Sequence, residues 1–332
     1  MKKLFFLVFI TLLSVGLFAV VTYGDLGQNI AFKANGETVD NDLLTARSQS
    51  LVILQSLKLN FPDFYDSLTK TATGIELLNE YSEYVRDKLI NEVLFIQFVE
   101  SKGIDLQRTT TKDYFNQNIE QIFKDSSFTQ EDIDMYLFTK GYLNIASYIN
   151  DKFYSALYKN AILKLHEKIT LSYSFTDSEM KKEYDTNKKS YVSRPYASIK
   201  LLYFDKNDEA KQYYQKIIDG VYTFDEIYAL LLKTSYAQET TVYLDEESEL
   251  SKVLKARAPG SIVEPSAIQE KTVIIRIEKK AVSKQLTYEE AKDTILINLR
   301  DIKAKDYFDK ILPQEFEVFK NNASVVINSK KF

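Results

Sequence analysis

The side chains that could carry out a reaction are few in this sequence. There is one histidine, His166, and no cysteine in 332 residues. Without cysteine there is no thiol nucleophile, no zinc-thiolate site and no disulfide. A Ser-His-Asp triad or a histidine metal site needs histidines that the chain does not have. His166 lies on a lysine-flanked helical stretch and reads as a solvated residue, not as a catalyst. The densest carboxylate run, Asp245-Glu246-Glu247, could meet calcium. It has no glycine-bearing cage around it, and reads as solvated surface. No glycine-rich loop could cradle a phosphate. Neither a metal nor a cofactor is expected.

The residues that remain suit binding. Phe and Tyr number 21 and 23, with no Trp. They crowd the stretch from Phe95 to Tyr158, where most should fill a core. Tyr148, Tyr154 and Tyr158 have polar neighbours and are the candidates for exposed contact with a peptide, since aromatic rings give large contact area at low entropic cost. The formal charge of −4 argues against a nucleic-acid partner, which calls for a basic footprint.

These side chains need elements to hold them. Gly and Pro are scarce, 9 and 5 in all, so long regular elements are expected, mostly helical. Lys2-Lys3 followed by the apolar run Leu4 to Val21 has the order of a secretory signal ending near Ala19. The alternative is an uncleaved anchor reaching to about residue 23, because roughly 18 apolar residues are at the lower edge of a membrane span. Asn35-Gly36 between Ile30–Ala34 and Glu37–Val39 predicts a hairpin, with Asp40 capping the next helix. Helices are predicted near 42–59, 74–101, 111–123 and 129–169, the last breaking at Gly141. In the second, Val85, Leu89, Val93 and Ile96 make one apolar face. Thr176–Glu179, Thr223–Glu226 and Thr287–Glu290 are capping boxes. Between Arg194 and Val282 the texture becomes α+β. Strands are expected at 196–204, 243–244 and 272–277, with helices at 208–220, 223–234 and 247–256. From Thr287 the chain is helical again until Pro313, and Ser324–Asn328 is a last strand.

Four passages, in order, resemble the SurA/PrsA/PpiD class of exported chaperones. They are the Ala34–Val39 hairpin, the helix from Asp87 to Ile104, the stretch from Phe175 to Lys188, and the run from Ala210 through Gly220 and Phe224 to Pro259-Gly260. The resemblance implies a mainly α fold with an inserted α+β domain. A discontinuous helical chaperone module, residues 25–190 and 284–332, would carry a parvulin-like unit at 194–283. The first 19 residues would be the signal peptide. Parvulins usually place two facing histidines on adjacent central strands. Here those positions fall at or near Ile199 and Val273, and Ser235–Tyr243 supplies no Cys or Asp.

The resemblance therefore implies an exported, periplasmic or envelope-associated protein. It would hold unfolded or secreted polypeptide clients without prolyl-isomerase catalysis. Its alternatives are a weakly active peptidyl-prolyl isomerase and a dedicated envelope assembly factor for one partner. Membrane contact would be through the N-terminal segment only, and a homodimer is compatible with this class.

Overall fold

The structure, a computed structural model, describes residues 20–125, 128–268 and 270–329. The expected signal and its cleavage point lie outside the described residues. In chain order the first elements are β1 (Val20–Gly24), β2 (Ile30–Ala34), β3 (Glu37–Asp40), α1 (Asn41–Ser48) and α2 (Ser50–Asn60). Next come α3 (Pro62–Lys70), α4 (Ala72–Ser101), α5 (Arg108–Asp125), α6 (Gln130–Thr139), α7 (Ile145–Ser172) and α8 (Asp177–Asn187). Then follow β4 (Tyr196–Phe204), α9 (Asn207–Ile218), α10 (Phe224–Leu232), β5 (Ala237–Tyr243), α11 (Glu249–Ala256), β6 (Ile262–Ile268) and β7 (Lys271–Ala281). The chain ends with α12 (Tyr288–Asp306), a π-turn (Tyr307–Ile311), α13 (Leu312–Asn321) and β8 (Ser324–Asn328). They form two compact units, one from residues before 175 together with those from Arg300 onward, the other Phe175–Leu299.

In the first unit, Asn35 and Gly36 take φ of 48° and 86°, the left-handed pair that a tight hairpin needs. The Asp40 side chain accepts from the Leu43 amide at 2.7 Å and starts α1. A four-stranded sheet has the order β1-β8-β2-β3, with β1 parallel to β8. The predicted face of α4 is buried, and Phe95 and Phe98 meet Phe316 of α13 with ring centroids 5.4 and 5.5 Å apart. Leu157 and Leu165 of α7 and Phe308 and Leu312 complete this core. The stretch 42–59 is two helices, because Gln49 turns to a φ of 54° between them. The break at Gly141 occurs as expected, and Asn144 caps α7 through the Ser147 amide at 2.8 Å. Pro313 has no amide to continue an α-helical ladder. The chain widens into the π-turn just before it and resumes as α13.

In the second unit the sheet order is β5-β4-β7-β6, with antiparallel neighbours throughout. α9 and α10 pack on one face through Ala210, Ile217, Phe224 and Ile227. α11 covers the other through Leu254. β5 is longer than expected: the polar run Gln238–Thr241 is drawn into strand by pairing with β4. β6 tolerates Pro265 because it is an edge strand, and its register shifts between Val263 and Ser266.

The unit is also wider than 194–283. Met180, Tyr184 and Tyr191 bury themselves against Ala291 and Ile295. The Tyr184 hydroxyl donates to the Leu286 carbonyl at 2.6 Å. So α8 and the start of α12 belong to this unit, and the last helix completes the first unit only from Arg300 onward.

Candidate functional site

Alternation along β4 sends Ala197, Ile199 and Leu201 to one face of the sheet, and β7 sends Val273, Ile275 and Ile277 to the same face. The register pairs Ile199 with Ile277, Leu201 with Ile275 and Tyr203 with Val273. Ile199 and Val273 thus lie on adjacent strands and one face, but not opposite each other. At these three rungs the side chains are apolar except Tyr203, whose hydroxyl donates to Gln238 Oε1 at 3.1 Å; further along, Ala197 pairs with Lys280, whose ammonium donates to the Lys255 and Arg257 carbonyls at 2.9 and 2.7 Å. Ile199, Ile277, Val273 and the covering Leu254 are all fully buried. Around Ile199 and Val273 the face is apolar, and the Tyr203 hydroxyl and Lys280 ammonium at its two ends are already bonded within the unit. It is also closed to a peptide by α11.

The other titratable candidates are engaged elsewhere. The His166 ring lies 5.6 Å from that of Phe308. Arg194 donates to both Asp245 oxygens at 2.8 Å and to Glu246 at 2.9 Å, and lies over the Tyr243 ring at 3.9 Å. Those bonds hold the Asp245 carboxyl below its usual range. No group of three or more His, Asp or Glu among the described residues could hold a metal ion.

The tyrosines chosen for exposed contact are half-buried against their own unit. Tyr154 donates to Glu37 Oε1 at 2.9 Å. Tyr158 meets Phe95 edge-on at 5.6 Å and Tyr148 meets Tyr142 at 4.8 Å. Burial raises the phenol pKa of both Tyr154 and Tyr158. Glu37 is itself tied down by Gln97 at 2.9 Å and Arg108 at 2.8 Å. These contacts make Tyr154 a strut between hairpin and helix. Tyr148, Tyr154 and Tyr158 are only partly buried, and the polar partner of Tyr154 across the fold is Glu37.

Exposed apolar surface lies elsewhere, on the arm made by α2, α3 and the first turns of α4. No residue of α2 is fully buried. Leu59 is 74% exposed, Phe61 62%, Phe64 55% and Tyr84 56%, with Ile75 and Leu77 exposed beside them. The signal for this was the run Leu51 to Leu59. A helix apolar on every side must be covered or must bind something. α3 and α4 meet at Gly74, where an added Cβ would sit 2.5 Å from the Leu68 carbonyl oxygen.

A second feature of the same unit is an open cleft of about 760 Å³ between α5, α6 and α7. Ile133 and Ile149 are buried at its base, and Phe128 is exposed at its mouth. Lys112 and Lys124 also line it.

The family described as PPIC-type PPIASE domain matches residues 175–293, nearly the span of the second unit. Several solved structures are similar over most of the chain, at low scores. The foldase protein PrsA of Lactococcus lactis is 15% identical, covering 90% of this chain and 95% of its own, with a TM-score of 0.35. PrsA of Bacillus anthracis is 16% identical over 70% and 95%, with a TM-score of 0.26. A Campylobacter jejuni structure described with the SurA-like chaperones PEB4 and Cj1289 is 18% identical over 67% and 88%, with a TM-score of 0.30. No curated protein matches. In the matched region, then, the central strands carry a hydrophobic core on the face that holds Ile199 and Val273.

Proposed function

We propose that this chain is an exported chaperone-like protein that holds non-native polypeptide on its apolar arm and does not catalyse prolyl isomerisation. The observation that carries the reading is the exposure of Leu59, Phe61, Phe64 and Tyr84 on neighbouring helices of one unit. Solvated apolar side chains grouped on one arm suit an interaction site. Export rests on Lys2-Lys3 and the apolar run after them. No helix among the described residues is long and apolar enough to cross a membrane. The test is aggregation of a chemically denatured model client. Stoichiometric wild-type protein is expected to suppress it, and the L59S/F61S/F64S/Y84S variant to lose most of that effect. Equal suppression by the two would sink the arm as the binding surface.

The domain match supports a second reading, a peptidyl-prolyl isomerase of low activity. Uncatalysed isomerisation faces a barrier of about 18–20 kcal/mol, and Ile199 and Val273 offer no polar group to lower it. A protease-coupled proline-peptide assay separates the readings, with the background rate expected.

A further inference from the structure

The sheet of the second unit has two edges, and they differ. Along β6 the ladder is interrupted between Val263 and Ser266, and Pro265 has no N–H to offer. Prolines and bulges keep a strand edge from pairing with another chain. β5, the other edge, has neither, and its seven residues stay in unbroken register with β4. The Tyr203 amide donates to the Tyr236 carbonyl at 2.8 Å, and the Leu244 amide to the Pro195 carbonyl at 2.8 Å. In an antiparallel ladder such bonded rungs recur at every second residue. The even-numbered residues from 236 to 244 therefore bond to β4, and the backbone N–H and C=O groups of Glu239, Thr241 and Tyr243 point away from it. Those groups have no hydrogen-bond partner among the described residues, and all three residues are exposed. Glu239 is the one charged residue of the strand.

We propose that the open edge of β5 takes up an extended segment of polypeptide as a fifth strand of this sheet, through the backbone groups of Glu239, Thr241 and Tyr243. Donors and acceptors that recur at every second residue along a line match those of an extended backbone. Recognition through backbone places little demand on side chains. A second copy of this chain is a poorer occupant, since seven residues a side fall well short of the about 20–30 a side of a stable interface. The inference goes beyond the holding reading: the site is in the other unit and needs no apolar side chain.

The probe is a fluorescein-labelled peptide of alternating Thr and Val between Lys residues, without the large apolar side chains that suit the arm. Its anisotropy is followed with the intact protein. A second version carries N-methyl groups on two adjacent central residues, which blocks both edges of the peptide and leaves its side chains unchanged. That version should bind at least about ten-fold more weakly. Thr241→Pro deletes an N–H that points away from β4, where an edge strand accepts proline. It should cost the unmethylated peptide a similar factor, with β4 and β7 amides exchanging hydrogen as in the wild type. In the wild type, added peptide should slow exchange at Glu239, Thr241 and Tyr243. If Thr241→Pro loosens β4, the methylated peptide and this exchange pattern decide the matter.

No binding of the unmethylated peptide, equal binding of the two versions, or protection confined to other segments would overturn the proposal. So would undiminished binding by a well-folded Thr241→Pro. A wild-type dimer that Thr241→Pro dissociates in sedimentation would also overturn it, since a second copy would then cover the edge. The arm variant, L59S/F61S/F64S/Y84S, should bind the peptide as the wild type does, and loss of binding there would place the peptide on the arm instead. Absence of aggregation suppression by the wild type would sink the holding reading and leave the edge site standing.

Discussion

Ile199→His places in β4 the residue that the parvulin pattern would put there, and the structure says what should follow. Ile199 is fully buried, pairs with Ile277 and is covered from α11 by Leu254. Removing a buried Ile side chain forfeits about 1.5–3 kcal/mol of burial, part of which the imidazole carbons recover. The ring nitrogens find no partner on this face, and an unpaired buried polar group costs about 1–3 kcal/mol. The net loss should be near 3 kcal/mol. Hydrogen exchange followed by mass spectrometry reads this locally. Amides of β4 and β7 that exchange through opening of the unit should exchange about 100-fold faster, because each ~1.4 kcal/mol is tenfold. The deficit should also grow with acid. A His buried as the neutral ring has its folded pKa below the unfolded value of about 6.5. The unfolded chain then binds the extra proton, so stability falls as pH drops below that value. Ile199→Val, which removes one methylene, should cost about 1 kcal/mol with no pH dependence. If β4 and β7 exchange within about three-fold of wild type in Ile199→His, the face is a hydrated cleft, and the argument against catalysis fails with it.

Two further outcomes follow from other contacts. Gly→Ala inside a helix usually stabilises by about 0.5–1 kcal/mol, but Gly74→Ala should destabilise the arm by about 1–3 kcal/mol, because its Cβ would press on the Leu68 backbone; the check is faster proteolysis in the 60–75 segment, and unchanged cleavage would refute the close approach. Glu92 shares Arg47 with Asp151, at 3.3 and 2.6 Å, and its carboxyl is held above its ordinary value of 4.5, first by burial and then by Asp151. A raised folded pKa favours the fold fully below the unfolded value and loses that contribution as pH rises through the folded one. Glu92→Gln should therefore be at least as stable as wild type at pH 7 and show a flatter melting-temperature profile between pH 4 and 7. A destabilised variant with the wild-type profile would contradict this.

The parts of the fold written in local chemistry were readable in advance. Asn35-Gly36 announces its hairpin because few residue pairs accept two positive φ angles. Thr176, Thr223 and Thr287 announce helix starts because each bonds reciprocally with a Glu three residues on. What depends on distant partners was not readable. Gln49 adopts a left-handed φ that its residue type does not advertise. The polar edge strand β5 exists because β4 offers it a ladder. The boundary at residues 175 and 299 depends on Tyr184 finding α12 across a hundred residues of sequence. The candidate site divides in the same way. Missing histidines can be counted in the sequence, whereas the burial of Tyr154 depends on Glu37, a residue 117 positions away.

The pairing of β1 with β8 has a consequence for biogenesis. Val20 lies beside Ser324 and Gly24 beside Asn328, so the sheet of the first unit needs both ends of the chain. The second unit is contiguous, and every residue it requires is made before β8. During synthesis at the usual ~5–20 residues per second, the first 174 residues wait roughly 8–30 s for the strand and helix that complete them. In that interval Phe95 and Phe98 lack Phe316, β1 lacks its partner, and β2, paired with β3, keeps its other edge open. The nascent protein is then an incompletely folded chain with open apolar surface, the same kind of molecule that the finished one is proposed to hold.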